Sequence, residues 1–379
     1  MGIFSWEQRK FSEIAQRESN MQLSSSDFPS VEYEDVVAEE GILNKNINSK
    51  GTQKKGIIFD GNQILYGKLR PYLHNWLNPD FKGIAVGDWW VLKPIETDKN
   101  FLYRLIQTPK FDNVANQSSG SKMPRADWNL VANTTFMIPS SITEQKEIGT
   151  YFNNIDNLIT LHQRKYNKLQ NLKKYFLEKM FPQNGKRVPE IRFAGFTDDW
   201  EQRKIGDCFT ERKESMPKGE LLSVTINEGI KRFSELERHD SSNQDKSKYK
   251  KVCIGDIAYN SMRMWQGASG FSDYEGIVSP AYTVLKPHDG IDARFVSYLF
   301  KTKDLIHVFQ INSQGITSDN WNLKFPVLST INIKIPEKIE EQNKIAEFLA
   351  KLDNLITLHQ RMHKMCFLTI FSLDGIFIQ

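Results

Sequence analysis

DNLITLHQR occupies residues 156–164, and the same nine residues return at 353–361, an offset of 197. That offset also carries Ile138-Pro139 onto Ile335-Pro336 and Glu144-Gln145 onto Glu341-Gln342. Upstream, WEQRK at 6–10 recurs at 200–204, Leu92-Lys93-Pro94 at 285–287, and Trp128-Asn129-Leu130 at 321–323. A period of nearly two hundred residues is far too long for a solenoid unit, so whole domains have been duplicated. Each half opens on WEQRK and leaves through DNLITLHQR.

Around the first nonapeptide, Ile148, Phe152, Ile155, Ile159, His162, Tyr166 and Leu169 step alternately by four and three residues. This is a heptad seam able to pair with a second helix. It predicts a helix from about 143 to 181, opened by a capping box at Ser141-Ile142-Thr143-Glu144 and ended by Pro182 and Gly185. At 1.5 Å per residue such a helix spans roughly 55 to 60 Å, too long for the inside of a small domain. The second copy sets Ile345, Leu349, Leu352, Ile356, His359 and His363 on the same seam. Like seams within one chain predict an antiparallel coiled coil about an internal pseudo-twofold. No metal site is expected, because Tyr166 stands where His162 would need a second ligand; the His359/His363 pair could take up metal only adventitiously.

The expected fold is α+β. Two mixed, strand-rich heads at 1–141 and 200–338 alternate with long helices at 142–182 and 339–379, with a linker at 183–199. In the first head Gly56 to Phe59, Gln63 to Tyr66 and Ala85 to Leu92 read as strands and Asn100 to Gln107 as a helix. The second head repeats that order with Asp256 to Asn260, Tyr282 to Leu285 and a helix from Ala293 to Phe300.

Constant helices joined to divergent heads suggest one scaffold presenting two different readers. Each head carries a turn after its second strand, with Lys68, Arg70 and Tyr72 in the first and Asn260, Arg263, Trp265 and Gln266 in the second. Arg70 and Arg263 coincide at an offset of 193. Arginine grips phosphate, or reads guanine through two hydrogen bonds in the major groove. A polar loop follows in each head, offering Ser118, Ser119, Lys122 and Arg125 in one and Gln314 and Asn320 in the other, side chains suited to base edges and backbone phosphates.

Composition narrows the class further. The chain has 379 residues, 39% of them hydrophobic and 25% charged, with a net charge of +4. Packed cores are affordable, and any nucleic-acid face must arise from charge segregation. Cys208, Cys253 and Cys366 lack CxxC spacing, and no signal peptide or membrane span is legible, so a cytoplasmic protein is expected. No catalytic residue emerges. The [DN]PP[YF] tetrapeptide of adenine methyltransferases is missing, and Gly51 to Gly56 imitates P-loop spacing but continues into Ile57-Ile58 instead of Lys-Ser/Thr.

A head ending in Ile-Pro, then Glu-Gln-x-x-Ile opening a long seamed helix, all of it twice, resembles the specificity subunit of type I restriction-modification systems. The segments GNQILYGKLRPYL and GDIAYNSMRMWQGASG are also similar to strand-turn segments of that family's target recognition domains. The resemblance implies that each head reads one half of a bipartite site on double-stranded DNA while the helices set the spacer. It further implies that two modification subunits dock on the helices, bringing S-adenosylmethionine and flipping an adenine out of the duplex, and that restriction subunits add ATP- and Mg-dependent translocation and cleavage. The chain itself would hold no cofactor and catalyse nothing. Two departures stand out: the N-terminus lacks the VPEIRF segment that precedes the second WEQRK, and the second helix loses its match after Arg361, as a frameshifted or exchanged tail would. The competing expectation is a coiled-coil assembly protein whose heads bind protein.

Overall fold

The structure is a computed structural model. It describes residues 5–44, 46–47, 52–117, 123–226, 228–236, 239, 242, 244–315 and 321–374, with side chains up to 369. The two halves form separate compact units, one of residues 1–163 with 361–379 and the other of 164–360. The boundaries of these units fall within both long helices.

In both heads the repeated motifs find each other. The opening strand Trp6–Lys10 pairs antiparallel with Thr135–Pro139, setting Trp6 opposite Pro139. Its counterpart Glu201–Lys204 pairs with Asn332–Ile335. WEQRK and Ile-Pro, over a hundred residues apart, are thus the two strands that close each head.

The central sheets share one order. In half one it runs Ala15–Glu18, Trp89–Pro94, Ile64–Gly67, Trp76–Leu77; in half two Phe209–Glu211, Tyr282–Pro287, Ile257–Asn260, Ser269–Phe271. One expected strand differs. Ala85 to Leu92 is two strands, Gly83–Ala85 and Trp89–Pro94, because Gly87 turns the chain at φ 99°. Outside the central sheet the halves diverge. Among the described residues, half one adds a second four-stranded sheet and a two-stranded ribbon, whereas half two adds two two-stranded ribbons.

Each core is aromatic-rich. Phe11, Tyr66, Trp90, Phe111 and Phe136 fill the first, and Phe209, Tyr259, Phe295, Phe300 and Phe309 the second. Burial of side chains this large stabilises each head by about 1.5–3 kcal/mol apiece.

The long helices run Ile142–Lys179 and Ile339–Asp374. In half two, Ile345, Leu349 and Leu352 belong to the head's own core, together with Leu169, Phe176 and Leu177 of the first helix. Phe176 meets Phe348 edge to face at 4.7 Å, and Lys173 bonds Asp353 at 2.5 Å, so the two helix segments run antiparallel there. In half one, Phe152 and Ile155 are buried while Ile148 packs on the head core. Ile159 and Ile356 are half-buried. The expected seam is accordingly shared between head and helix, because a helix that carries a head must first bury a face against it.

The expected capping box does not form. Glu144 accepts the Trp6 indole N–H at 3.2 Å instead of turning back to Ser141. Residues 183–199 are likewise more than a linker. Lys334 bonds the Gly185 and Lys186 carbonyls, Lys338 pairs with Asp198, and Arg192 pairs with Glu341. No helix is long and apolar enough to cross a membrane, and no group of three His, Cys, Asp or Glu is placed to hold a metal ion, among the described residues.

Candidate nucleic-acid interface

The two turns singled out from sequence occupy the same place. Each joins the same pair of central strands, Ile64–Gly67 to Trp76–Leu77 and Ile257–Asn260 to Ser269–Phe271. Gly67 allows the first turn to close tightly: a Cβ there would lie 2.9 Å from the Asn75 Cβ and 3.0 Å from its carbonyl.

In half one the turn and the later polar loop lie side by side. Leu69 bridges Arg125, the Arg70 N–H donates to Pro124 at 2.8 Å, and the Ala126 N–H donates to Lys68 at 2.8 Å. Asp88 gathers two of the cations. Arg125 bonds it through two nitrogens at 3.3 and 3.1 Å, and Lys68 stands 3.5 Å away. The Arg125 guanidinium, helped by Lys68, holds the Asp88 carboxyl below its usual range. Beneath, the Tyr33 hydroxyl donates to the Asp88 carbonyl and accepts the Leu69 N–H, and burial pushes its pKa up. The turn is therefore pinned from below.

Arg70 stands apart from this network. It is exposed, adopts the left-handed region at φ 49°, and makes no side-chain hydrogen bond or ion pair among the described residues. Tyr72 beside it is 52% exposed. A non-glycine residue held in that conformation stores strain that the surrounding bonds must offset. The residue is thereby presented, not merely tolerated.

Half two reaches a related arrangement by a different backbone. The Leu323 N–H donates to Ser261 at 2.9 Å, as Ala126 does to Lys68. Gln314 and Asn322 form a two-way bridge, and Trp265 packs edge to face on Trp321 at 5.2 Å. Arg263, at φ −128°, is exposed and likewise without a side-chain partner among the described residues. The half-buried Asn260 accepts the Met262 N–H through its side-chain oxygen, which fixes its place in the turn. Gln266 is half-buried with its carbonyl oxygen unpartnered. Ser118, Ser119, Lys122 and Asn320 lie outside the described residues.

One sequence match is corrected here. Trp128-Asn129-Leu130 opens a helix, Trp128–Asn133, whereas Trp321-Asn322-Leu323 is extended ahead of the helix Phe325–Leu328. The equivalent pairs are Ala126 with Leu323 and Trp128 with Phe325, already at the offset of 197. The tripeptide match is a coincidence of composition. Its shift places the length difference between the heads in the polar loop.

Sequence reasoning missed the joint between head and helix, although the repeat had marked it. Gln145 accepts the Asp98 N–H at 2.9 Å and donates to the Pro139 carbonyl at 2.8 Å; Gln342 does the same with Asp292 at 3.0 Å and Pro336 at 2.9 Å. Asp156, inside the nonapeptide, receives Arg104, and its counterpart Asp353 receives the Tyr298 hydroxyl at 2.8 Å. Gly149 lets the first helix approach until a Cβ would lie 2.7 Å from the Phe101 nitrogen, and Ala346 fills that register in half two. The signal was the identity of Glu-Gln and Asp across the repeat.

Comparison with known proteins agrees with this geometry. The family model described as the type I restriction modification DNA specificity domain matches twice, over residues 5–171 and 197–364. The type I restriction enzyme MjaVIII specificity subunit of Methanocaldococcus jannaschii is 23% identical over 327 residues, covering 80% of this chain and 73% of that protein. The crystal structure of a type I restriction-modification system S subunit from M. genitalium superposes with a TM-score of 0.66 at 11% identity, covering 99% and 96% of the two chains. With the fold duplicated and the matched segments spanning most of the sequence, the chain belongs to the type I restriction-modification DNA specificity family, carrying two copies of its domain.

Proposed function

We propose that each head reads one half of a bipartite sequence on double-stranded DNA, with the strand-joining turn as its point of contact. The observation that carries this reading is the matched pair Arg70 and Arg263, exposed and unpaired among the described residues while Lys68 and Arg125 close by are tied to Asp88. An arginine kept free of local acids on a pinned turn is placed to bond phosphate or a guanine edge. The exposed Tyr72 and Met262 flank it with apolar surface suited to sugars and thymine methyl groups.

The chain contributes recognition and no chemistry. Two modification subunits bring S-adenosylmethionine and act on adenine, and restriction subunits, where they join, bring ATP and Mg. The long helices act as the ruler between half-sites and as the docking surface for the modification subunits, in the cytoplasm. Expressing the chain with its modification subunit and mapping methylated adenines across the host genome tests the reading. The expected result is one bipartite sequence with a fixed spacer, and Arg70→Ala relaxing one half only. Equal relaxation of both halves would refute it.

A further inference from the structure

Beneath their different sequences the two turns share one plan. Arg70 precedes a single turn of 3-10 helix, Pro71–Leu73, and Arg263 precedes another, Met264–Gln266. Each then ends on a residue in the left-handed region, His74 at φ 51° and Gly267 at φ 81°. An arginine opens each turn, and a conformation that most side chains avoid closes it. In half one the closing residue is gripped from outside the turn. His74 donates from Nε2 to the Asp112 carboxylate at 2.9 Å, and its Nδ1 faces Glu39 at 3.4 Å. The ring stacks on Trp76 with centroids 5.3 Å apart, and the His74 carbonyl accepts the Glu39 N–H at 3.0 Å. Asp112 is fixed in turn by Asn116, which donates to it at 2.7 Å.

Half two grips the same place with other atoms. The helices Pro109–Ala115 and Lys303–Asn312 are counterparts, each opened by an N-cap threonine, Thr108 and Thr302. In that register Ile306 stands for Asp112, and a Cβ on Gly267 would lie 3.3 Å from its Cδ1. An apolar side chain thus occupies the space beside the turn. The polar contact comes instead from Lys301, at the register of Gln107. Its ammonium donates to the Gly267 carbonyl, and at 2.9 Å to that of Ile226, which follows the strand Leu222–Thr225. Charge-assisted bonds of this kind fix the far end of the turn to the helix beside it. Burial pushes Lys301 down to about 7, a cost that an apolar residue there would not carry.

We infer that His74 with Asp112 in one half, and Lys301 in the other, are positioning residues that lock the closing end of each turn and so present Arg70 and Arg263 in one geometry, granted the DNA-reading role proposed for the turns. The lock needs no contact with DNA. An arginine on an unlocked turn would have to be ordered by the DNA itself, and that ordering is subtracted from affinity. Two chemically unlike devices, an imidazole on a carboxylate and an ammonium on a carbonyl, meet one requirement at one structural position. The sequences around them share little beyond the arginine.

The test titrates the full chain, assembled with its modification subunits, against labelled duplexes carrying the methylation-mapped sequence, intact or scrambled in one half. Arg70→Ala and Arg263→Ala first identify which half each turn reads. His74→Ala and Asp112→Ala should each weaken the half that Arg70→Ala impairs by about tenfold, and Lys301→Met the other half by a similar factor. In the Arg70→Ala or Arg263→Ala background the matching lock variant should cost nothing more, because a lock without its arginine has nothing to present. A half that had merely unfolded would lose its remaining affinity in that background as well. Additive losses, or losses spread over both halves, would overturn the inference. So would full affinity in His74→Ala and Lys301→Met while the arginine variants bind weakly. Arginine variants that leave both halves intact would instead refute DNA reading by the turns, and the locks would lose their role with it.

Discussion

The joint and the reading turn obey opposite rules. At the joint the same residues make the same bonds twice: Trp6 and Trp200 donate to Glu144 and Glu341, and Gln145 and Gln342 tie a head helix to the carbonyl of the closing proline. At the turn only the register is shared. Arg70 sits at φ 49° beside an Asp88-centred network, and Arg263 at φ −128° beside a tryptophan pair. Identity across the duplication thus marks where geometry must be constant whatever is being read, and divergence marks the reader. The joints differ in one charge, because Arg192 pairs with Glu341 while no arginine pairs with Glu144 among the described residues.

The strongest way to break that comparison is to remove the cation that serves Glu341 in half two. Arg192→Ala leaves Glu341 buried without its partner and should destabilise half two by about 3 kcal/mol, read as the shift of the denaturant midpoint of its unfolding. A shift below a fifth of that would show the ion pair to be ornamental. Next, Gln145→Ala and Gln342→Ala each orphan a buried N–H and a carbonyl and should cost about 2 kcal/mol, with the two values agreeing. A large disagreement between them would end the claim of equivalent joints.

The turn should respond differently. Arg70→Ala is expected to leave thermal stability unchanged while weakening DNA binding by about 1–3 kcal/mol, at one half-site only, in titrations of the assembled complex against duplexes altered in either half. Binding should also fall steeply with salt, as phosphate contacts require.

A smaller asymmetry lies at Gly149, where Ala346 is the counterpart. Gly149→Ala pushes a methyl against the Phe101 backbone and should cost about 1–3 kcal/mol, whereas Ala346→Gly should cost about 1 kcal/mol through helix propensity and lost packing. Thermal melts of both variants decide it.

The subtlest difference is electrostatic. Lys301 bonds the Ile226 and Gly267 carbonyls, and burial, with Lys173 adding repulsion, pushes its pKa down to about 7. The unfolded chain therefore holds this proton at pH values where the folded chain has released it. Stability is lowest below pH 7 and rises as the pH climbs from 7 towards 9. In half one the register is Gln107, which does not titrate. Lys301→Gln should flatten the pH dependence of stability over that window, and an unchanged slope would rule Lys301 out as its source.

Much of this was legible before folding. The repeat had marked the joint without being read as one: WEQRK pairs with the Ile-Pro strand, and Glu-Gln bonds both the tryptophan and the proline carbonyl. The turn, too, was placed by the strand pattern and the coincident arginines. Other inferences failed for a common reason. Glu144 had the spacing of a cap, but Trp6, distant in sequence, competed for it and won. Leu130 matched Leu323 in letters, yet one is exposed and the other fully buried.

The sequence by itself determined that the chain is a duplication, that long helices with a heptad seam join two unlike heads, and where arginine falls in each. These are properties of periodicity and identity, which survive without knowing any contact. Only the tertiary structure decided which charges are neutralised, which seam residues serve a head instead of a helix, and that the buried Glu341 is met by Arg192. Such outcomes depend on groups brought together from far along the chain. In the packed interior a single competing partner changes the cost of burying a charge by more than any local preference does.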